Sequence, residues 1–168
     1  GTDEIGRDIF SRVVVGTRYS LSMGIIATAI SSVIGIVIGA VAGFAGGWTD
    51  NIIMRALDVI QSLPGMLLTI VMSAVLGSGY FNTILALSVG AIPGQARMLR
   101  ANMLKQRKAE YIEAAYSMNC SPARIIFTHL VPNSISANIV GMTMGVAHTI
   151  IQAASLSFIG LGVQPPTP

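Results

Sequence analysis

Few residues in this 168-residue chain could do chemistry, and they are widely spaced. His148 and Gln152 lie four positions apart, so on a helix an imidazole and a carboxamide share one face. Asn138 precedes them in the same apolar tract. A polar group on a lipid-surrounded helix needs a partner. A hydrogen bond to a neighbouring helix would supply one, and so would a solute moving along a path between helices. Asn138, His148 and Gln152 are therefore the candidates for lining such a path. His129 and His148 are the only histidines and stand far apart, with no cysteine or histidine cluster around them, so their spacing assembles no metal site. The single Cys120 excludes an internal disulfide. The apolar tracts hold no nucleophile–base pair and no carboxylate cluster, so no catalytic residue is assigned and a membrane-embedded enzyme is disfavoured. No G-x-x-x-x-G-K-[ST] phosphate loop occurs, so the chain has no usual means of using ATP itself.

The elements that carry these residues are set by an unusual charge distribution. Charged residues make up 10% of the chain against about 25% in a soluble domain, and mean hydropathy is +0.70. No charge lies between Arg18 and Asp50, between Asp58 and Arg97, or after Arg124 with the histidines neutral. One membrane-spanning helix needs about 20 apolar residues. The pattern predicts an all-α membrane protein, a polytopic bundle with spans near 19–44, 50–76, 81–98 and 134–161. The net charge of +3 does not indicate nucleic acid, because the basic residues border apolar tracts without interleaved aromatics. The chain begins at Gly1 without Met or a signal-peptide pattern and ends in Pro-Pro-Thr-Pro, which reads as an internal fragment.

Residues 1–18 mix charge with Ile5, Ile9, Phe10, Val13 and Val14 at helical spacing, and Asp8 and Arg12 are placed to pair. They predict an amphipathic helix lying on the membrane surface. In the first span Ser31, Gly35, Gly39 and Gly43 recur every fourth position, a stripe that lets a second helix approach closely. Gly46-Gly47 should end that span beside Trp48. In the second, Arg55 and Asp58 are spaced to pair, and Pro64-Gly65 should kink or break the helix. Gly77-Ser78-Gly79 reads as a tight turn, and Pro93-Gly94 as an interruption of the third span.

Between the third and fourth spans lies a polar insert. Six of the ten Lys and Arg residues fall from Arg97 to Arg124, which places residues 99–131 in the cytoplasm. Alternation then puts the 46–50 turn inside and the 77–80 turn, with both chain ends and residues 1–18, on the outer side. Arg7, Arg12 and Arg18 argue against that placement, offset by Asp3, Glu4 and Asp8. The insert itself reads as two short helices. Residues 109–118 form the first, with Tyr111, Ala115 and Met118 on one side, and Asn119 breaks it. Ser121 can cap the second, Pro122 suits its first position, and Pro132 should mark its end. Helix connections typically take 2–8 residues, so a structured polar knob suggests docking to a soluble partner.

The residues of this knob carry a resemblance. Glu113-Ala114-Ala115, a turn residue four positions after Ala115, and Leu130-Val131-Pro132-Asn133 resemble the EAA loop of ATP-binding-cassette (ABC) importer permeases. GTDEIGRDIFSRVVVGTRYS, GFAGGWTD, RALDVIQSLPG and SLSFIGLGVQPPTP are similar to the dipeptide, oligopeptide and nickel importer permeases. Together they cover nearly the whole chain. The resemblance implies a permease of the type I ABC importer fold in the bacterial inner membrane, with about four of six spans present and the first and last absent. It further implies a second permease subunit, two cytoplasmic ATPases that hold ATP and Mg, and a periplasmic or lipid-anchored substrate-binding protein. The chain itself would carry no cofactor. Glu113, Ala114, Ala115, Asn119, Arg124 and Pro132 would make the contact with the ATPase, and the cargo would be peptide or nickel. Asn119 stands where the family has glycine, and Ala153 where many relatives have glutamate. A secondary transporter or channel working without an ATPase is the alternative, and the knob at 109–130 argues against it.

Overall fold

The structure is a computed structural model describing residues 1–3 and 6–163. Its elements are helices: α1 (Ile9–Ala45), α2 (Gly47–Gln61), α3 (Gly65–Leu76), α4 (Tyr80–Gln106), α5 (Glu110–Ser117), α6 (Pro122–Arg124), a π-helical segment (Ile125–Leu130) and α7 (Val131–Phe158). The last three run on without a gap as one 37-residue helix, Pro122–Phe158. That helix and α1 are each long and apolar enough to cross a membrane, and α2 with α3 passes the same test as a pair bent by 79°.

Residues 9–18 are not a separate surface helix. They are the first turns of α1, because nothing between Phe10 and Ala45 stops helical hydrogen bonding from propagating. Ile5, expected on the same stripe, lies outside the described residues. The expected Asp8–Arg12 pair does not form. Asp8 caps α1 by accepting from the Ser11 backbone N–H at 2.9 Å and its hydroxyl at 2.6 Å, and these bonds hold its carboxyl below the usual carboxylate range. Arg12 turns to Asp3 instead, at 2.8 Å.

α1 and α4 pack along most of their length, with α7 beside both and α3 against α4. The small-residue stripe makes that approach possible. A Cβ on Gly35 would lie 2.6 Å from the Gln95 Cβ, and one on Gly43 would lie 3.0 Å from the Met103 Cβ. On Gly39 it would collide with the Ala96 carbonyl oxygen. Ser31 is fully buried on the same stripe and donates to the Thr28 carbonyl. Gly24, outside the stripe nearer the start of α1, meets Ile150 of α7 in the same manner.

The two prolines expected to disturb spans behave differently. Pro64-Gly65 breaks the helix completely and separates α2 from α3. Pro93-Gly94 does not interrupt α4, which runs through a fully buried Pro93. A proline removes one backbone bond, and a neighbour packed against it keeps the helix on course. The third span also does not stop at 98. α4 continues to Gln106 because Leu99 and Met103 stay fully buried one turn apart, while Arg97 and Arg100 are half-buried toward α2 and Lys105 is exposed.

Pro132 likewise does not end its helix. The chain passes it through the π-helical turns of Ile125–Leu130, a local widening that relieves the clash of the ring with the preceding turn. The Asn133 side chain adds a bond to the His129 carbonyl at 2.7 Å.

Gly39→Leu should force α1 from α4 and cost about 1–3 kcal/mol, the usual cost of overpacking. Gly90, whose added Cβ would meet only ordinary contact at 3.5 Å, is the control. Thermal unfolding in detergent should show Gly39→Leu well below wild type and Gly90→Ala close to it. Equal midpoints for the two variants would mean that the stripe does not hold the bundle.

Candidate functional site

Two places in the bundle concentrate polar groups: a knob at the end where Arg97 to Arg107 gather, and a cavity midway along α4.

The knob begins with α5. Ile112 and Ala115 turn inward and join Ile125 and Leu130 over Leu99, Met103 and Ala40, forming one apolar cluster. Tyr111 and Met118, grouped with Ala115 by spacing, are exposed instead, Met118 at 79%. Spacing alone does not distinguish the two faces, because α5 is only eight residues long. The helix stops at Asn119, the one described non-glycine residue with positive φ, at 56°. There the Cys120 N–H closes back on the Ala115 carbonyl at 3.1 Å. Ser121 caps the next helix by accepting from the Arg124 N–H at 3.4 Å, and Pro122 takes its first turn.

This geometry sorts the residues assigned to coupling. Ala115 is nearly buried under the knob, whereas Glu113, Ala114, Asn119, Arg124 and Pro132 are exposed. An apolar underside thus fixes the knob to α4, and its outer surface carries the free polar groups.

Beside the knob, two arginines of α4 hold α2. Arg100 makes a two-pronged contact with both carboxylate oxygens of Asp50. Arg97 reaches Asp58 and the Gln61 side chain. The Arg55–Asp58 pairing expected from spacing is therefore replaced by Arg97–Asp58, since a guanidinium on the neighbouring helix offers forked geometry that one turn of α2 does not. Arg107 donates to the Gly43 carbonyl at 3.2 Å and closes the corner where α1 turns into α2. Gly46 and Gly47 make that turn with φ of 65° and 55°.

The cavity encloses about 170 Å³ between α1, α3, α4 and α7. His148 and Gln152 line it together, as their shared face predicts. Asn138 does not. It is fully buried lower on α7 and donates to the Gln95 backbone and side-chain oxygens at 3.3 and 3.4 Å, while its own Oδ1 has no partner among the described residues. Thr28, Thr69, Gln95 and Thr149, which helical spacing does not single out, complete the wall. Gln95 is the visible signal: a carboxamide inside the long charge-free tract between Asp58 and Arg97. Ala153 is buried next to Met23, Ala27, Ile84 and Leu87, so the methyl fills an apolar contact where a carboxylate would be stranded. Among the described residues no group of three His, Cys, Asp or Glu could hold a metal ion.

Comparison with known proteins agrees with this architecture. The solved structure of the inward-facing MetNI methionine ABC transporter superposes with a TM-score of 0.81, covering 92% of this chain and 77% of that one. At 22% identity the likeness is one of fold, an ABC importer permease bundle. Glutathione transport system permease protein GsiD of Pectobacterium atrosepticum is 46% identical over all 168 residues, and GsiD of Salmonella paratyphi A is 49% identical. The chain spans 56% and 55% of those relatives, about half their length. Residues 35–168 match the family described as binding-protein-dependent transport system inner membrane component. With most of its length inside that match, the multi-pass helical bundle described above belongs to the binding-protein-dependent transport system inner membrane component family.

Proposed function

We propose that this chain is the permease of an ATP-driven bacterial importer for peptide-class cargo, glutathione among it, and that the knob is its contact with a separate ATPase. The observation that carries the reading is the two-sided knob. Ile112, Ala115, Ile125 and Leu130 are buried against α4, while Glu113, Ala114, Asn119 and Arg124 remain outside. A simple connection between two helices needs no such rigid body. The same feature argues against a transporter or channel working without an ATPase. The relatives are named for glutathione transport, which favours a peptide over nickel. A second permease, two ATPases carrying ATP and Mg, and an external substrate-binding protein complete the assembly. The cluster of Lys and Arg around the knob supports a cytoplasmic position for it.

The packing gives force a route through this chain. A pull on the knob acts on Leu99 and Met103 of α4. Arg97 and Arg100 pass it to Asp58 and Asp50 of α2. α2 ends at the Pro64-Gly65 break, beyond which Gly65 and Thr69 of α3 border the cavity. Each link is a packed or paired contact, so movement of the knob alters the wall of the cavity.

Glu113→Lys reverses a charge on the docking surface and should weaken ATPase association about tenfold, or about 1.4 kcal/mol. Quantitative co-purification reads the effect, and unchanged recovery of the ATPase would remove Glu113 from the contact. Met118→Cys should react with a membrane-impermeant maleimide in inside-out vesicles and stay unlabelled in intact spheroplasts; the opposite pattern would place the knob outside. Asp50→Ala strips the Arg100 guanidinium of its paired carboxylate. It should lower cargo uptake per ATP hydrolysed, and Asp50→Glu should restore much of it. A ratio that does not move in either variant would show that α2 takes no part in coupling.

A further inference from the structure

We infer that the cavity between α1, α3, α4 and α7 is a binding subsite for an uncharged amide-bearing part of the cargo. The inference rests on the importer reading above and specifies which chemical portion of the cargo this chain holds.

The cavity differs from two larger hollows of the bundle: one, beside the start of α1, draws its polar groups (Arg12, Thr17 and Ser20) from that helix alone. The groove lined by Ile36, Val37, Phe44 and Phe127 has only apolar side chains. This cavity is bordered by Thr28, Thr69, Gln95, His148, Thr149 and Gln152, drawn from four helices. Such a concentration of hydrogen-bonding groups is expensive in lipid unless something satisfies them.

Part of the set is satisfied internally. Thr69 donates to the Gly65 carbonyl at 2.8 Å, and the Thr28 and Thr149 hydroxyls meet at 3.5 Å. The rest is open. Gln95 accepts from Asn138 through its oxygen, but its Nε2 has no acceptor among the described residues. The Gln152 carboxamide, half-buried in the wall, and the His148 imidazole, exposed at its edge, have no hydrogen-bond partner among them either. These are donors and acceptors in the mixture that a peptide amide, with one N–H and one C=O, complements.

Charge narrows the ligand further. No Asp, Glu, Lys or Arg lines the cavity, so an α-carboxylate or α-ammonium group would find no counter-ion there. Moving an unpaired charge into such a site is strongly unfavourable. The amide between the termini fits, and the termini do not. The volume agrees with a part and not a whole: about 170 Å³ equals the space of about five or six waters.

Two of the three glycines of the wall, Gly65 and Gly90, point the same way, whereas Gly145 is held close to Thr28, whose side chain would lie 3.3 Å from an added Cβ. In the α1 stripe an added Cβ would strike α4. At Gly65 it would meet nothing within 4 Å, and at Gly90 only Thr69 Oγ1 at 3.5 Å and the Gly65 carbonyl oxygen at 4.0 Å. Close packing does not require glycine at these two positions. Their effect is to keep the volume empty, and Gly65 sits on the break at which α3 can move.

The test uses Gln152→Cys in the complete protein, with Cys120 and any cysteine outside residues 1–168 replaced by Ala, purified with whatever ATPase accompanies it. The rate of labelling by N-ethylmaleimide is measured with and without N-acetyl-dialanine methylamide, a neutral capped peptide. At ten times its Kd the peptide leaves about a tenth of sites free, so labelling should slow about tenfold. Sodium acetate and ammonium chloride should not slow it, and Gln95→Leu in the same background should abolish the protection. Equal rates with and without the peptide overturn the inference, as does protection by acetate or ammonium as strong as that by the peptide. If Gln152→Cys fails to fold, Thr69→Cys on the opposite wall takes its place, and protection or its absence decides in the same way. Protection without a co-purifying ATPase would uphold the subsite and sink the importer reading. A co-purifying ATPase without protection would do the reverse.

Discussion

The close contact between α1 and α4 is the constraint on which the rest depends. Gly35, Gly39 and Gly43 bring the α1 backbone against Gln95, Ala96, Leu99 and Met103. In lipid there is little hydrophobic gain from joining two apolar helices, so the attraction must come from dispersion at short range. Removing side chains along one stripe shortens that range over several turns. α4 is thereby fixed as the central strut, and every functional feature is mounted on it. The knob rests on its Leu99 and Met103, the α2 clamp uses its Arg97 and Arg100, and the cavity takes Gln95 and Gly90 from its middle.

α4 can be this polar only because it is enclosed. It holds Gln95, Arg97 and Arg100 within a helix that also carries a buried proline. Facing lipid, each would be costly. Packed among its neighbours, they find partners: Asn138 for Gln95, Asp58 and Gln61 for Arg97, and Asp50 for Arg100. The apolar helices α1 and α7 tolerate lipid, and the polar strut gains its environment from α7 through Asn138 and from α2 through Asp50, Asp58 and Gln61.

Much of this is legible in the residues themselves. The four-residue recurrence of small side chains locates the face of α1 that meets α4, and Asn119, Ser121 and Pro122 locate the turn of the knob. These signals are local: a left-handed residue, a capping hydroxyl and a proline at a first turn act within a few positions of themselves. The misplacements are mostly non-local. Pro93 and Pro132 read as interruptions or ends of helices, yet neighbours and a π-helical widening carry the chain through both. Spacing pairs Asp8 and Asp58 along their own helices, but Asp8 caps α1 and Asp58 binds Arg97 on α4. Helical spacing names possible partners on one helix and is silent about those arriving from another. The cavity shows the same division, since His148 and Gln152 are visible from spacing, whereas Thr28 and Thr69 join them only through the bend at Pro64-Gly65 and the packing of separate helices.

That bend also explains why two kinds of glycine coexist in one bundle. A glycine in the stripe is needed because any side chain would separate two helices, and the contact is rigid for the same reason. Gly65 faces open space and Gly90 would meet only ordinary contact, so at neither position does a neighbouring helix demand the missing side chain. An importer of the kind proposed above would use both, a tight seam that moves as one body and a wall that can change its angle. In this chain the seam is α1 with α4, and the wall is α3 beyond its break. The Asp50–Arg100 and Asp58–Arg97 pairs lie between them, on the far side of the hinge from the cavity. A charge pair at that position holds α2 to the seam, while α3 meets α4 separately, beyond the break. In the importer proposed above, displacement of the knob would arrive at the cavity through α2 as a change in angle at Pro64-Gly65, with the α1–α4 seam left closed.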